Sequence, residues 1–248
     1  MTDPISDRSA KDARVALVSG AAKRLGRAIA LRLAADGADL IVHYGRSQEE
    51  AQETVAEVKK LGRRAFAVPA DLTNVSEIKE LFAQTDEYFG RLDILVNSAA
   101  NFIETPFASI TESDWDRALD SNLKSYFFCA QAAAPALKSS QGVIINFADI
   151  GGILGWPGFI PHSISKAGVL MLTRALAKEL APQVRVNAIA PGTITMPGDP
   201  PEWQQDFIKR APLHRTGTSS DIADAVLFLV NAKFITGHTL IVDGGRIL

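Results

Sequence analysis

The chain has 248 residues, which fits one large α/β domain or two small ones, and its hydrophobic fraction of 47% is ample for a core. A net charge of −2 gives no reason to expect a nucleic acid or an anionic membrane as partner. The single Cys129 excludes an intramolecular disulfide framework and fits a reducing compartment, the cytoplasm, while the absence of any run of 18 apolar residues argues against a membrane span.

Residues 1–13 carry no apolar run and read as a loose tail, not a signal peptide; 14–248 read as a single domain. From Arg14, short β-rich runs alternate with helical segments. "RVALVSG" is a strand, "RLGRAIALRLAADG" a helix ending at Gly37, "DLIVHYG" a strand, and "SQEEAQETVAEVKKLG" a helix with Ser47 as its possible N-cap. "RAFAVPADL" and "LDILVNSAA" are strands around the helix "SEIKELFAQTDEYFG". "SDWDRALDSNLKSYFFCAQAAAPALKSS" is one long or broken helix, and Cys129 within it reads as a small core residue. "GVIINFADI" and "VRVNAIAPG" are strands separated by a helix in which Ile164, Ala167, Leu170 and Met171 recur at core-facing spacing. "SSDIADAVLFLVN" is a helix and "HTLIVDGG" the last strand. Strands apolar throughout are covered on both faces, so the alternation predicts a doubly wound parallel sheet. The proline-rich stretch 193–217 reads as an irregular loop over the substrate.

The candidate binding residues all fall at strand C-termini, where open α/β sheets bind ligands. Gly20 and Gly26 stand where the first strand turns into the first helix, a place that brings a pyrophosphate close to helix N-terminal amides. The second strand ends in "VHYGRS", with no acid to take a ribose 2′-hydroxyl; Arg46 and Ser47 suit a 2′-phosphate, and Arg24 adds a second cation. Asp71 either bonds an adenine amino group or caps the next helix. Asn97 and the small residues after it, Ala99 included, either admit a cofactor to the backbone or stabilise a turn. His162 and Lys166, four apart on one helical face, are costly to bury unless their polar groups are used.

"SGAAKRLG", "ADL", "LVNSAA", "SNLKSYF", "HSISKAG", "VRVNAIAPG" and "TGHTLIVDGG" together make the chain resemble the short-chain dehydrogenases/reductases from about residue 14 to 245. Within them it is most similar to pteridine reductases, through "GAAKRLG", "HYGRS", "NFIETP" and the aspartate at position 149. The resemblance implies a Rossmann-type fold, NADP(H) as cofactor, no metal, and a homotetramer paired through its central helices and C-terminal strand. It adds Leu25, Leu72, Pro191, Gly192, Ile194 and Lys166 to the cofactor-binding set, and Phe102 and Asp149 as substrate residues. The family's catalytic Asn, Ser, Tyr and Lys map onto Asn122, Asp149, His162 and Lys166, so histidine stands where tyrosine is expected; the chain's tyrosines, Tyr44, Tyr88 and Tyr126, lie elsewhere. The expected activity is NADPH-dependent reduction of a pterin-like or small carbonyl substrate, with His162 supplying a proton alongside Asp149. The alternatives are a 3-oxoacyl or other carbonyl reductase, and a non-catalytic NADP-binding protein.

Overall fold

The computed structural model describes residues 13–196, 198–199 and 202–248. The expected N-terminal tail thus lies outside the described residues except for Ala13, which is buried. In chain order the elements are β1 (Val15–Val18), α1 (Arg24–Ala35), β2 (Asp39–Tyr44), α2 (Gln48–Lys60), β3 (Ala65–Pro69), α3 (Val75–Phe89), β4 (Ile94–Asn97), α4 (Glu112–Leu119), α5 (Ser125–Ser140), β5 (Val143–Phe147), α6 (Gly151–Leu154), α7 (Ile160–Leu180), β6 (Arg185–Pro191), α8 (Glu202–Arg210), α9 (Ser219–Asn231) and β7 (Thr239–Val242). The strands form one seven-stranded parallel sheet in the order β3-β2-β1-β4-β5-β6-β7. Direction reverses between β1 and β4, so their C-terminal ends splay apart and leave a crevice there.

Every residue of β1, β2, β4 and β5 is buried, which is why these strands read as largely apolar runs. One face of the sheet packs on Ile29, Leu33, Val55, Val58, Val226 and Leu229 from α1, α2 and α9. The other packs on Ile78, Leu81, Cys129, Ala133, Leu137 and Leu180 from α3, α5 and α7. Cys129 is therefore the core residue expected, and burial pushes its thiol up to about 12. Helix starts follow their side chains: Asn74 caps α3, and Thr111–Asp114 and Thr218–Asp221 close capping boxes on α4 and α9.

Three local expectations change. Ser47 occupies the N-cap position of α2, but its hydroxyl makes no capping bond. The loop 193–217 contains a helix, α8; prolines flanking it masked the short amphipathic run "EWQQDFIKR". The third change concerns α7. Of its expected core-facing stripe, Ile164, Ala167 and Met171 face outward, with Ile164 43% and Met171 61% exposed, and only Leu170 is partly buried, against Tyr126 and Val169, while His162, Ser165, Lys166, Val169 and Thr173 face the sheet. Small hydroxyl residues allow this inversion because each finds a partner: Ser165 Oγ donates to His162 O at 2.6 Å and Thr173 Oγ1 to Val169 O at 2.8 Å. Thr173 Oγ1 in turn accepts from Asn146 on β5 at 3.1 Å.

Candidate active site

The crevice begins at the turn between β1 and α1. Gly20 sits at φ +69°, and a Cβ there would lie 3.2 Å from Ala99 Cα at the end of β4. A Cβ on Gly26 would meet Gly20 O at 2.2 Å. The two glycines therefore let the turn fold tightly on itself and against β4. Beside this turn lies a cavity of about 510 Å³ whose lining includes Gly20, Arg46, Asp71, Leu72 and Ala99, five of the residues expected to hold a cofactor. His43, Thr73, Asn101 and Ser121 also line it, and none of these was singled out from the sequence. Of the four, His43 had the clearest signal, a polar residue inside the apolar strand "DLIVHYG".

Other members of the expected set lie elsewhere. Arg24 adopts a left-handed backbone at φ 53° and turns its guanidinium to Asp199 of the loop after β6, with bonds of 2.9 and 3.1 Å. It holds the Asp199 carboxyl below the usual range. Leu25 packs, partly buried, against the core beneath α1. Asp71 accepts from the backbone and hydroxyl of Thr73, which lowers its pKa, and Asn74 takes the capping role. Asn97 is fully buried and donates to Asn146 Oδ1 at 2.9 Å, so its side chain serves the sheet interior; its own Oδ1 finds no partner among the described residues. Pro191 ends β6, Gly192 N donates to Val242 O, and Ile194 bridges to Gly217. A Cβ on Gly192 would meet the Phe207 ring of α8 at 2.8 Å, which ties the end of β6 to the helix inside the loop.

The second half of the site stands at the ends of β4 and β5. Between α4 and α5 the helix widens into one π turn, Asp120–Lys124, and this turn aims Asn122 inward. Asn122 Oδ1 accepts from Asn101 N at 2.8 Å and its Nδ2 donates to Asn101 O at 3.1 Å, clamping the segment that leaves β4. Asn122 Nδ2 also lies 3.1 Å from Ser165 Oγ and 3.3 Å from His162 Nδ1. His162 Nε2 lies 2.5 Å from Asp149 Oδ2, and Asp149 Oδ1 accepts from Gly152 N at 3.0 Å. Asp149 thus both caps the first turn of α6 and pairs with the imidazole. His162 Nδ1 also lies 3.2 Å from Asn101 O, so protein groups meet both ring nitrogens. Only 4% of the histidine side chain is exposed against 17% of Asp149, which makes the carboxyl the member of the pair nearer solvent.

One turn along α7, Lys166 is buried and donates from Nζ to Phe147 O at 2.7 Å. Its ammonium lies 5.3 Å from the centre of the Tyr126 ring. Burial lowers the lysine to about 8, with Asp149 opposing the shift. Tyr126 is fully buried, so it offers no phenol to the crevice. An aromatic wall completes this end. Phe102, 60% exposed, stacks on Phe159 at 4.4 Å and meets the His162 ring edge-on at 4.8 Å. Trp156 lies parallel to the imidazole at 6.4 Å. Phe102 is the expected substrate residue; Trp156 and Phe159 in "GWPGF" were missed because nothing in their spacing links them to His162.

A parallel sheet with a glycine cradle at its switch point, and a buried lysine one turn of α7 from His162, matches known proteins over nearly its whole length. A family model described as enoyl-(acyl carrier protein) reductase matches residues 20–246. A 3-oxoacyl-[acyl-carrier-protein] reductase of Staphylococcus aureus is 39% identical over 242 residues, 95% of this chain and 98% of that protein. The chain belongs to the short-chain dehydrogenase/reductase family. It is an oxidoreductase of that family, whose members use nicotinamide coenzymes. The BbsD subunit of (2S)-[(R)-hydroxy(phenyl)methyl]succinyl-CoA dehydrogenase from Thauera aromatica is 38% identical, covering 95% of this chain and 97% of the subunit. A blue fluorescent protein from a metagenomic library, solved with NADPH, superposes with a TM-score of 0.90 at 32% identity, covering 95% of this chain and 98% of the other. A 7α-hydroxysteroid dehydrogenase, solved with NADH and 7-oxo glycochenodeoxycholic acid, gives 0.89 at 32% identity over 94% of this chain and 93% of the other. Among the described residues no helix is long and apolar enough to cross a membrane, and no cluster of three or more His, Cys, Asp or Glu is placed to hold a metal.

Proposed function

We propose that the protein is an NADPH-dependent carbonyl reductase, with 3-oxoacyl thioesters as the first substrate class. The observation that carries a reductive role is the Asp149–His162 pair at 2.5 Å, with Lys166 one turn further along α7 at the end of β5. The substrate class leans on the S. aureus relative, and it moves the balance from the pterin reading of the sequence toward the carbonyl one. NADPH is favoured by Arg46 and Ser47 at the end of β2, where no carboxylate awaits a ribose hydroxyl. The glycine turn fits a dinucleotide: Gly26 lets it close on itself beside the cavity that Gly20 and Ala99 line, Arg46, Asp71 and Leu72 take the adenosine half, and Lys166 takes the nicotinamide ribose. When bound, the nicotinamide supplies a hydride.

The chain's own part is the proton. Starting from an imidazolium, His162 gives its Nε2 proton to Asp149 across the 2.5 Å contact as Asp149 passes a proton to the oxygen that becomes the alcohol; the ring is left neutral with Nδ1–H toward Asn101 O and is recharged from water. This revises the expected direct donation by His162, because the imidazole is the more buried member and both its nitrogens face protein groups. In our reading the histidine fills the family's tyrosine position and acts through Asp149. Asn122 holds Asn101 and the imidazole in place.

One observation favours a second reading, a pterin-like substrate: the exposed face of Phe102 beside Asp149's partner offers a flat ring a stacking surface. The deciding experiment follows NADPH oxidation by the pure protein with acetoacetyl thioesters, dihydropterins, dihydrofolate and quinonoid pterins. Turnover of the thioesters supports the proposal, and turnover of pterins alone replaces it with the second reading. Coenzyme binding without turnover of any of them makes the protein a non-catalytic NADP-binding protein. The outward apolar stripe of α7, Ile164, Ala167 and Met171, supports a homotetramer, which light scattering at micromolar concentration tests.

A further inference from the structure

His43 is buried within β2, where all six residues are enclosed, and only 3% of it is exposed. An imidazole in such a place is costly unless both nitrogens are bonded. Here both are. Nε2 lies 3.0 Å from Ala70 O, and a carbonyl only accepts, so Nε2 carries the proton. Burial lowers the imidazole to about 4, which keeps it neutral near pH 7, and Nδ1 is then left as an acceptor. Gly20 N donates to it at 3.0 Å.

The backbone repeats the link. Ala21 N donates to His43 O at 2.9 Å, and Ala70 N donates to Tyr44 O at 3.1 Å. One residue therefore joins the glycine turn after β1, the end of β2 and the segment after β3. Gly20, His43, Arg46, Ala70 and Asp71 line the same cavity, so the three joined segments are its walls. The Gly20 amide is committed to the ring and is not offered to a phosphate.

We propose that His43 is a positioning residue for the coenzyme: as the Nε2–H tautomer it clamps the glycine turn to the Ala70–Leu72 segment and sets the width of the adenosine end of the crevice. This rests on the coenzyme reading above. Its components separate cleanly by substitution, because asparagine presents an acceptor where Nδ1 stands, whereas glutamine reaches with a donor where Nε2 stands.

Fluorescence titrations with NADPH and NADH would compare wild type with His43→Asn, His43→Gln and His43→Phe, each checked for a folded circular dichroism spectrum. We expect His43→Asn and His43→Gln each to lose about tenfold, because each keeps one of the two bonds and breaks the other, and His43→Phe, which keeps neither, to lose more. The loss should be equal for the two coenzymes, because the turn serves both, and kcat at saturating coenzyme should hold while KM for coenzyme rises. Long-range proton–nitrogen NMR of the coenzyme-free protein should show a protonated Nε2 and a bare Nδ1 on His43. An Nδ1–H tautomer, or a His43→Asn or His43→Gln variant that binds coenzyme as wild type does, overturns the clamp while leaving the coenzyme reading intact. If His43→Phe fails to fold, the Asn–Gln pair still decides. A wild type that binds neither coenzyme overturns both the clamp and the reading beneath it.

Discussion

The two ends of the crevice are built on different principles. The proposed adenosine end is largely backbone: Gly20, Ala21 and Ala70 are tied to His43 and Tyr44, with the His43 ring as the one side-chain link, and glycines stand where a Cβ would collide. The substrate end is a side-chain network in which Asn122, Asp149, His162, Ser165 and Lys166 arrive from the π turn, the end of β5 and α7. A backbone cradle tolerates little change because its atoms cannot be substituted, only displaced. A side-chain network can exchange members while keeping its place, and His162 opposite Asp149 is such an exchange in our reading. The first end is therefore where the coenzyme should be most predictable, and the second is where the chemistry should be most particular to this chain.

The largest effect should come from the substrate end. Asp149→Asn keeps the shape but removes the titratable proton, and kcat should fall by about 10²–10⁴-fold, the usual worth of a positioned acid. NADPH affinity from titration should hold within a few-fold; a variant with unchanged kcat would break the proposed division of labour.

Next in size is the acid response of the adenosine end. His43 titrates at about 4 when folded against 6.5 for the free side chain, so the unfolded chain takes up the proton first. Its contribution to stability is complete above pH 6.5 and is lost as pH falls from 6.5 to about 4, by about 3 kcal/mol in all. Urea unfolding across that window should show the decline in wild type and a flatter curve in His43→Asn.

Arg46→Ala tests which coenzyme the cradle prefers. It should weaken NADPH by about 1.5–3 kcal/mol and leave NADH nearly unchanged, the difference a charged hydrogen bond to a phosphate makes. Equal affinities in wild type would remove the motive for that assignment.

The smallest effect belongs to the bridge between the two ends. Asp199→Asn removes the charge that Arg24 pairs with while keeping an acceptor for Met196 N; the pair being partly exposed, the change should shift stability by less than about 1 kcal/mol in thermal melts. A larger shift would mean that the loop is held to the glycine turn far more firmly than an exposed pair allows.

Much of this was legible beforehand because parallel sheets write themselves plainly. Strands buried on both faces give apolar runs, and the glycine turn, Arg46 and Asp71 follow at fixed places after them. What hid was whatever depends on partners distant in sequence. The stripe Ile164, Ala167 and Met171 obeys helical periodicity yet faces outward, since periodicity reports that a helix has two faces and not which one meets the sheet. Arg24 lies in the glycine turn, but its partner Asp199 is 175 residues away.

The sequence by itself determined the alternation of strands and helices, the glycine cradle and the pairing of His162 with Lys166 on one helical face, because local sterics and the 3.6-residue period act within a few residues. Only the tertiary structure decided that this polar face is the buried one, that Asp149 stands nearer solvent than His162, and that His43 joins Gly20 to Ala70. Each of these is a hydrogen bond between elements, and such bonds exist only once the sheet has set its strand ends side by side.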